Sequence, residues 1–468
     1  MDNFQKNQER HSSMLASASG RAEYIRAASM KNEDGTNVDP EDWQDVAMLI
    51  HGTESNTWEV DGIAREMASL VFGQATHYAV LFNLEFLEVL VKEKGVSPEN
   101  IVFFGDRPLE NKIAEVMYGV QTALVSKTVM IHDGGFDKTL FGYTLRQGVR
   151  DMNFNKLAVI MNPPYQINND KGGGTTHASA LYNVFIETIL NDLSPNYLVS
   201  INPSRWMVGG RGLDDFRDKM LADHRIKKIV HFPGDKEVFS TVQIKGGVNY
   251  FLWQKDYNGQ CEFVVGNSTT NRYLDEFDIV LQDNQAMTIL KKVRSNSNHW
   301  MNKPWAVQTP FGLVSSFNDW KKEGVPCYSI KRQVHFCSEN VVVDKFKIKD
   351  KWKVATSKAG NVGNTGVCDI STLFLIEPGA ICTQTYIVVN VFDSKKEAEN
   401  FMSYMKTKFF RFMLGLRTLT QDINKEKFAW VPDVEDYSTT WTDAELFKKF
   451  DLTRQEQRYI DGRYKELK

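Results

Sequence analysis

The sequence Leu157-Ala-Val-Ile-Met-Asn-Pro-Pro-Tyr165 runs from five apolar residues directly into a stiff polar turn. An apolar run without polar alternation is typical of a strand that is buried on both faces, as in a parallel α/β sheet. The turn follows the carboxyl end of that strand, which is where open α/β sheets bind their ligands. The stretch therefore predicts an α/β fold with a binding site at residues 162–165.

The four residues of this turn have the chemistry to hold a planar amine. Asn162 offers a side-chain carbonyl as an acceptor. Pro163 and Pro164 have a fixed φ and no N–H, so their carbonyls are rigid acceptors, and Tyr165 adds an aromatic face for stacking. When both N–H groups of an exocyclic amine bond to fixed oxygens, the nitrogen becomes more nucleophilic. We predict these four residues to be catalytic; the alternative is an ordinary Pro-Pro turn.

The composition is that of a globular protein without a global basic field. The chain has 468 residues, enough for two or three domains, with 42% hydrophobic and 25% charged residues and a net charge of −3. Any DNA-binding surface must therefore come from local segregation of charge. The five cysteines are odd in number and lack CxxC spacing, which favours free thiols over disulfides or a zinc site. Because a long apolar run and a signal peptide are both lacking, we expect a soluble cytoplasmic protein with no membrane partner.

The region before this turn has the alternating pattern of a doubly wound sheet. Residues 78–82 and 101–104 are predicted strands, residues 86–94 a helix, and Pro108 begins a second helix. Asp106 lies just past the second strand. In nucleotide-binding folds an acidic residue there accepts hydrogen bonds from ribose hydroxyls; the alternative role of Asp106 is a helix N-cap.

The motif Asn162-Pro-Pro-Tyr165 resembles that of the amino-methyltransferases that methylate N6 of adenine in DNA. The order of elements over residues 157–253 is similar to that of the Eco57I-type restriction–modification enzymes, and the resemblance extends over residues 58–255. It implies a Rossmann-like methyltransferase sheet, S-adenosylmethionine as cofactor, and an adenine that is rotated out of double-stranded DNA. It also implies that Tyr165 stacks on one face of this base and Phe239 on the other, unless Phe239 is a core residue.

The resemblance also implies cofactor residues. In the family, a helix before the first strand covers the methionine end of the cofactor, which assigns Trp58 to it, with a plain packing helix as the alternative. Asp133 would lie near the adenine of the cofactor, unless it is part of a surface turn.

The chain departs from the family after the first strand, because Leu81-Phe-Asn-Leu-Glu-Phe86 contains no glycine where a glycine-rich loop is expected. Either Asn83 supplies an unusual backbone geometry or cofactor binding is weakened or lost. Phe82, Asn83 and Glu85 are the candidate cofactor residues of this loop. Glu85 would replace a family acidic residue near the cofactor amino group.

We predict an accessory segment at residues 1–56, a catalytic domain at 57–270 and a mixed α/β target-recognition domain at 271–468. Residues 321–358 contain ten Lys and Arg against four Asp and Glu, interleaved with aromatic residues, which fits a DNA surface. Within them Lys345, Lys347 and Lys349 alternate like an edge strand and would share one face. They would contact phosphates, or else form a solvated edge.

The leading hypothesis is a site-specific adenine-N6 DNA methyltransferase with the linear order of the family's gamma class. It uses S-adenosylmethionine and double-stranded DNA, needs no metal, and would act in a bacterial or phage-infected cell, with a separate cognate restriction endonuclease as a candidate partner. A fused nuclease is the second hypothesis; Glu110-Asn-Lys112 has the required triplet but lies in a predicted helix. A DNA-binding protein on a retired methyltransferase fold is the third.

Overall fold

The computed structural model describes residues 62–125, 130–132, 135–169, 177–234, 238, 244, 246–362, 368–418 and 423–467. The chain divides into two compact units, Met1–Val280 and Leu281–Lys468. This division falls shortly after residue 270, where the sequence predicts the recognition domain to begin. The functions assigned to the two parts stay predictions.

The first unit alternates strands and helices. Its helices are α1 (Ile63–Ser69), α2 (Glu85–Leu87, continued by a π-helical turn at Glu88–Glu93), α3 (Pro108–Tyr118), α4 (Lys138–Gly148), α5 (Tyr182–Asp192) and α6 (Asp214–Ala222). Its strands are β1 (His77–Leu81), β2 (Ile101–Gly105), β3 (Gln121–Leu124), β4 (Ile131–His132), β5 (Gly135–Phe136), β6 (Leu157–Met161), β7 (Gln166–Asn169), β8 (His177–Ala180), β9 (Tyr197–Pro203), β10 (Ile226–Phe232), β11 (Val248–Gln254), β12 (Cys261–Val265) and β13 (Ser268–Arg272).

Within the described part of this unit, nine strands form one sheet in the order β13-β12-β10-β11-β9-β6-β1-β2-β3. Strands β3, β2, β1, β6 and β9 are parallel neighbours, and β11 runs antiparallel between β9 and β10. The chain moves outward from β1 to β3 and then returns to the other side of β1 with β6. The strand order therefore reverses between β1 and β6, which is the switch point of a doubly wound sheet.

Strand β6 is buried on both faces, which explains its unbroken apolar sequence. Leu157, Val159 and Met161 pack with residues of α4 and α5 on one face. Ala158 and Ile160 pack with residues of α1, α2 and α3 on the other. All five side chains are 0% exposed. The predicted α/β class with a doubly wound sheet is confirmed.

The second unit is also mixed α/β, as predicted. Its helices are α7 (Ala286–Ser295), α8 (Lys395–Lys406), α9 (Lys408–Gly415), α10 (Asp443–Lys449) and α11 (Arg454–Asp461). Its strands are β14 (Val325–Tyr328), β15 (Val334–Cys337), β16 (Trp352–Ser357), β17 (Asn361–Val362), β18 (Cys368–Asp369), β19 (Leu373–Ile376), β20 (Ile381–Cys382) and β21 (Tyr386–Phe392). Two sheets, β15-β14-β20 and β19-β16-β21, share one hydrophobic core.

Four cysteines, Cys261, Cys327, Cys337 and Cys382, are buried free thiols, which agrees with the expectation of unpaired cysteines. In the described ranges we find no cluster of three or more His, Cys, Asp or Glu side chains that could hold a metal ion. None of the helices described is both long enough and apolar enough to span a membrane.

A buried lysine crosslinks the backbone of the second unit. Lys353 lies in β16 with 0% of its surface exposed. Its Nζ donates to the carbonyls of Lys349 (2.5 Å), Lys351 (2.7 Å) and Glu377 (3.0 Å). These contacts satisfy the amine, but burial lowers the pKa of Lys353 to about 8.

This pKa predicts a pH dependence of stability. Between pH 8 and 10.5 the unfolded lysine keeps its proton while the folded one releases it, so rising pH favours the folded state. The free energy of unfolding of the wild type should therefore increase relative to that of Lys353→Met across this window. Urea unfolding of both proteins at several pH values measures the difference, and a constant difference would contradict the lowered pKa.

Candidate active site

The turn that follows β6 lies beside the turn that follows β1. Leu81 is opposite Met161 in the parallel pair, and the Asn162 backbone N–H donates to the Leu81 carbonyl (3.3 Å). Because the strand order reverses here, the connections leave toward opposite faces of the sheet and open a crevice between them. Residues 162–165 therefore stand at the position where open α/β sheets bind ligands.

The catalytic candidates are fixed at both ends of their turn. Pro163 is buried, and Asn162, Pro164 and Tyr165 are half-buried. The Tyr165 carbonyl accepts the N–H of Leu181 (3.1 Å), directly before α5. The chain then enters β7, which pairs with β8. These contacts and the two rigid proline rings leave the turn few alternative conformations.

Tyr165 combines a partly accessible ring with a buried hydroxyl end. The ring packs against the core cluster formed by α1, α2, α3 and one face of the sheet. Burial raises the pKa of the phenol well above its usual range. The ring therefore remains neutral at physiological pH and is positioned by packing, as a stacking platform requires.

The turn after β1 carries its unusual backbone at Phe82. This residue has a φ of 68°, in the left-handed region where a side chain costs roughly 1–2 kcal/mol. Its N–H donates to the Phe104 carbonyl (3.0 Å). Its ring packs edge-to-face on Phe185 of α5, with centroids 5.3 Å apart. These contacts offset the strain that a glycine would avoid.

The expectation that Asn83 supplies this geometry is wrong. Asn83 is 9% exposed, and its Oδ1 accepts the N–H of Glu85 (2.7 Å). The side chain thus closes a local turn and starts α2, a common use of asparagine. Glu85 is the first residue of that helix and is half-buried. The loop therefore reverses the chain without glycine. Phe82 adopts the left-handed backbone, and the Asn83 side chain closes the turn.

Asp106 lies half-buried directly after β2, at the same edge of the sheet as the two turns. The alternative role as a helix N-cap is wrong, because Arg107 occupies the N-cap position of α3. The Asp106 backbone N–H is held by the Glu110 carboxylate (2.9 Å). A Cβ at Gly105, just before it, would lie 2.2 Å from Asn111 Oδ1, so a larger residue there would displace the Asn111 side chain.

In the triplet at residues 110–112, the side chains of Glu110 and Asn111 form hydrogen bonds that stabilise the start of α3. Glu110 accepts from the Asp106 N–H and forms an ion pair with Arg107 (2.6 Å). Asn111 is 8% exposed and accepts the Gly105 N–H (2.9 Å). A nuclease would instead present this triplet to a metal ion on a strand. The fused-nuclease hypothesis therefore has no site at this helix.

A buried polar network, which we did not predict from the sequence, connects β9, β10 and β11. Ser204 Oγ lies 2.9 Å from His231 Nδ1 and accepts from Asn249 Nδ2 (3.1 Å). Asn249 Nδ2 also donates to the Asn202 carbonyl (3.2 Å), and Ser200 Oγ donates to Asn202 Oδ1 (2.7 Å). All five side chains are at most 1% exposed. These side chains connect β9, which pairs with β6, to β10 and β11.

A sequence signal for this network exists. Ser200, Asn202 and Ser204 alternate along the chain, and the first two lie in β9 with their side chains on one face. Alternation of this kind usually indicates a solvent-facing side. His231 and Asn249 complete the network only through pairing of β10 and β11 with register His231 opposite Asn249, which the sequence alone does not provide.

The basic segment of the second unit is not the predicted edge strand. The Asp344 carboxylate accepts the N–H groups of Ile348 and Lys349 (2.9 Å each) and closes residues 344–349 into a turn. Lys347 has a left-handed φ of 54°. The expectation that Lys345, Lys347 and Lys349 share a strand face is therefore wrong, because the capping carboxylate outweighs the strand-like alternation.

The three lysines also differ in their surroundings. Lys345 and Lys347 are exposed. Lys349 Nζ instead pairs with Glu339 (2.5 Å), which raises the pKa of Lys349, and its carbonyl accepts from Lys353. Lys349 thus holds the turn together, whereas the other two cations face solvent.

Three sequence-predicted residues, Trp58, Asp133 and Phe239, lie outside the described residues. The residue before Phe239 is described: Val238 is 0% exposed and belongs to the core cluster against which Tyr165 packs.

A pair of substitutions tests the strained turn after β1. Phe82→Ala and Phe82→Gly both remove the ring, but only glycine adopts the φ of 68° without steric cost. The glycine variant should be more stable by about 1 kcal/mol, as measured by urea unfolding. Greater stability of the alanine variant, the usual order in regular backbone, would contradict the left-handed conformation.

Comparisons with known proteins bear on the segment that contains the turn. Residues 121–239 match the model of the Eco57I restriction-modification methylase family. A protein of Mycoplasma pneumoniae named an uncharacterized adenine-specific methylase is 38% identical over 103 residues, which are 22% of this chain and 24% of that protein. The match thus spans about a quarter of the length of this relative.

The chain also has weak similarity to solved structures of restriction-modification proteins. The methyltransferase subunit of a type I restriction-modification system from Streptococcus thermophilus is 14% identical, with a TM-score of 0.33 over 50% of this chain and 55% of that chain. The DNA complex of the type IIL restriction-modification enzyme MmeI is 8% identical, with a TM-score of 0.43 over 94% and 78%. Residues 121–239, which include the turn at residues 162–165, match the Eco57I restriction-modification methylase family, so the resemblance that this turn indicated is confirmed over that segment.

Proposed function

We propose that the chain is a site-specific DNA methyltransferase that transfers a methyl group from S-adenosylmethionine to N6 of adenine. The observation that carries this proposal is the rigid Asn-Pro-Pro-Tyr turn at the switch point, held to β1 by the Asn162–Leu81 hydrogen bond (3.3 Å). The amine of adenine inside a duplex cannot reach such a turn, so the base must rotate out of the helix.

The turn supplies acceptors and a stacking surface. Asn162 Oδ1 and the Pro163 carbonyl accept the two N–H groups of the amine and raise its nucleophilicity in the transition state. Tyr165, fixed by core packing, supports one face of the base. Phe239 is our candidate for the opposite face, and Val238 beside it is anchored in the cluster that also contacts Tyr165.

Residues at the carboxyl ends of β1 and β2 fit the nucleoside part of the cofactor. When bound, S-adenosylmethionine supplies an electrophilic methyl group. Asp106 presents a half-buried carboxylate at the edge of the sheet, suited to ribose hydroxyls. Phe82, Asn83 and Glu85 shape the adjoining turn, and Trp58 and Asp133 would complete the site.

Double-stranded DNA is the proposed partner, with the second unit as its recognition domain. Lys345 and Lys347 are candidates for phosphate contacts, because both are exposed cations. Lys349 is a weaker candidate than the sequence indicated, since its charge is paired with Glu339. A separate restriction endonuclease remains a candidate partner.

A second candidate function is that of a DNA-binding protein on a retired methyltransferase fold. The observation in its favour is Phe82, whose side chain stands where a glycine would leave the backbone open to a cofactor. Specific DNA binding by the wild type without any methyl transfer would identify this case.

Asn162→Ala should abolish methyl transfer while DNA binding stays within a few fold. Loss of one preorganised acceptor costs about 3 kcal/mol or more in the barrier, which is roughly a hundredfold or more in rate and brings transfer toward the limit of detection. Most DNA affinity comes from contacts elsewhere. Incorporation of labelled methyl groups into DNA and a binding titration measure the two effects.

Asn162→Asp is the matched control, because aspartate keeps an acceptor oxygen at the same position. It should retain more activity than the alanine variant. Near-normal turnover of Asn162→Ala would refute the assigned role of the turn.

A further inference from the structure

The hairpin β14–β15 ends in a turn with an uncommon sequence. The Gln333 N–H donates to the Ile330 carbonyl (3.2 Å), and the two central residues, Lys331 and Arg332, have φ of 56° and 59°. Two consecutive left-handed residues define a type I′ turn, which normally takes Asn-Gly because these residues tolerate positive φ. The chain instead keeps two long basic side chains in an unfavourable backbone conformation.

Contacts from the core hold this turn in place. The Arg332 N–H donates to the hydroxyl of Tyr386 (2.8 Å), which is 2% exposed. The Ser329 N–H donates to the Gln333 carbonyl (2.8 Å). Backbone strain that the surroundings enforce is concentrated at functional sites. The hydrogen bond that anchors the Arg332 backbone to Tyr386 therefore indicates that the position of Arg332 matters beyond stability.

The braced hairpin presents charge and apolar surface together. Lys331 and Arg332 are exposed, and in the described chain their side chains form no ion pair or hydrogen bond. Residues 325–338 contain no acidic side chain. Ile330 is 61%, Val334 47% and Phe336 37% exposed.

The base of the hairpin is rigid. Trp320 stacks on His335 of β15, with centroids 4.6 Å apart and an interplanar angle of 21°. The Lys321 N–H donates to the Phe336 carbonyl (2.7 Å), which covers part of the outer edge of β15. The hairpin is thus a fixed ribbon with a cationic tip.

We propose that this hairpin, with Lys331 and Arg332 at its tip, reads the DNA sequence from the major groove. The inference rests on the proposed function and names its specificity residues. A two-stranded ribbon fits the major groove, and the exposed apolar side chains can contact thymine methyl groups. The unpaired positive charge complements the phosphates that line the groove.

The anchor distinguishes the roles of the two basic residues. Arg332 is held through its backbone by Tyr386, and a bidentate contact to the guanine edge needs such fixed geometry. Lys331 has no equivalent anchor in the described residues and acts as a flexible point charge on a phosphate. Arg332 therefore determines sequence preference, and Lys331 contributes mainly affinity.

The test uses the full chain and the double variant K331N/R332G, which places Asn-Gly in the type I′ turn. This variant removes both cations and relieves the strain, so its thermal unfolding midpoint should equal or exceed that of the wild type. Its affinity for a labelled duplex library of random sequence should fall about tenfold or more, and the slope of log affinity against log salt should decrease by roughly one unit or more.

Two single variants separate recognition from charge. Arg332→Lys keeps the charge and should leave the salt slope unchanged, but it should lose discrimination between the preferred duplex and random DNA by about tenfold or more. Tyr386→Phe removes only the anchoring hydroxyl and should reduce discrimination in the same direction, with the salt slope again unchanged. A merely structural tyrosine would instead lower the unfolding midpoint without changing sequence preference.

The outcomes separate this inference from the proposed function. If the wild type methylates one sequence and K331N/R332G retains its affinity, salt slope and site preference, the hairpin is not the reading element, and the function stands. If the wild type binds DNA through the hairpin but never methylates it, the proposed reaction is wrong and the hairpin assignment stands. A wild type that binds a protein but no DNA would overturn both.

Discussion

The architecture of the first unit depends on burying β6 between two layers of helices. The five apolar side chains of Leu157–Met161 are fully covered, and burial of the four that are larger than alanine contributes about 1.5–3 kcal/mol each. This fixes the end of the strand at the switch point, where the Asn162 N–H meets the Leu81 carbonyl. The polar turn that follows can then be rigid, because the layers beneath it hold its position. The proposed chemistry is thus a consequence of packing.

Strained residues occur at both places where we assign function. Phe82 near the switch point and Lys331 with Arg332 in the hairpin adopt left-handed backbones without glycine. In each case a partner outside the turn enforces the conformation: the Phe185 ring for Phe82, and the Tyr386 hydroxyl for Arg332. Such positions retain a side chain that glycine would remove, which is the expected sign that the side chain itself is needed. In the first unit the left-handed backbone of Phe82 is also the observation that favours the retired-enzyme alternative.

The features that can be predicted from the sequence are those that depend on a local pattern of residues. The apolar run of β6, the alternation from β1 to α3 and the position of the candidate turn at residues 162–165 follow from periodicity and turn chemistry. Pairing determines the rest: the antiparallel insertion of β11 buries the network around Asn202 and Asn249, and no local signal gives that register. Side-chain capping is the other limit. Asp344 converts an alternating lysine segment into a turn, and Asn83 starts a helix where the sequence suggested strained backbone. In both cases a short polar side chain competes with the backbone pattern.

The reaction that the chain catalyses can be identified directly by one measurement. The chain would be expressed in a host that lacks DNA methylation, and the genomic DNA would be read by single-molecule sequencing, which reports the modified base and its sequence context together. We predict N6-methyladenine in one recurrent sequence and nowhere else. Genomic DNA without modified adenine, from cells that contain the folded protein, would contradict it.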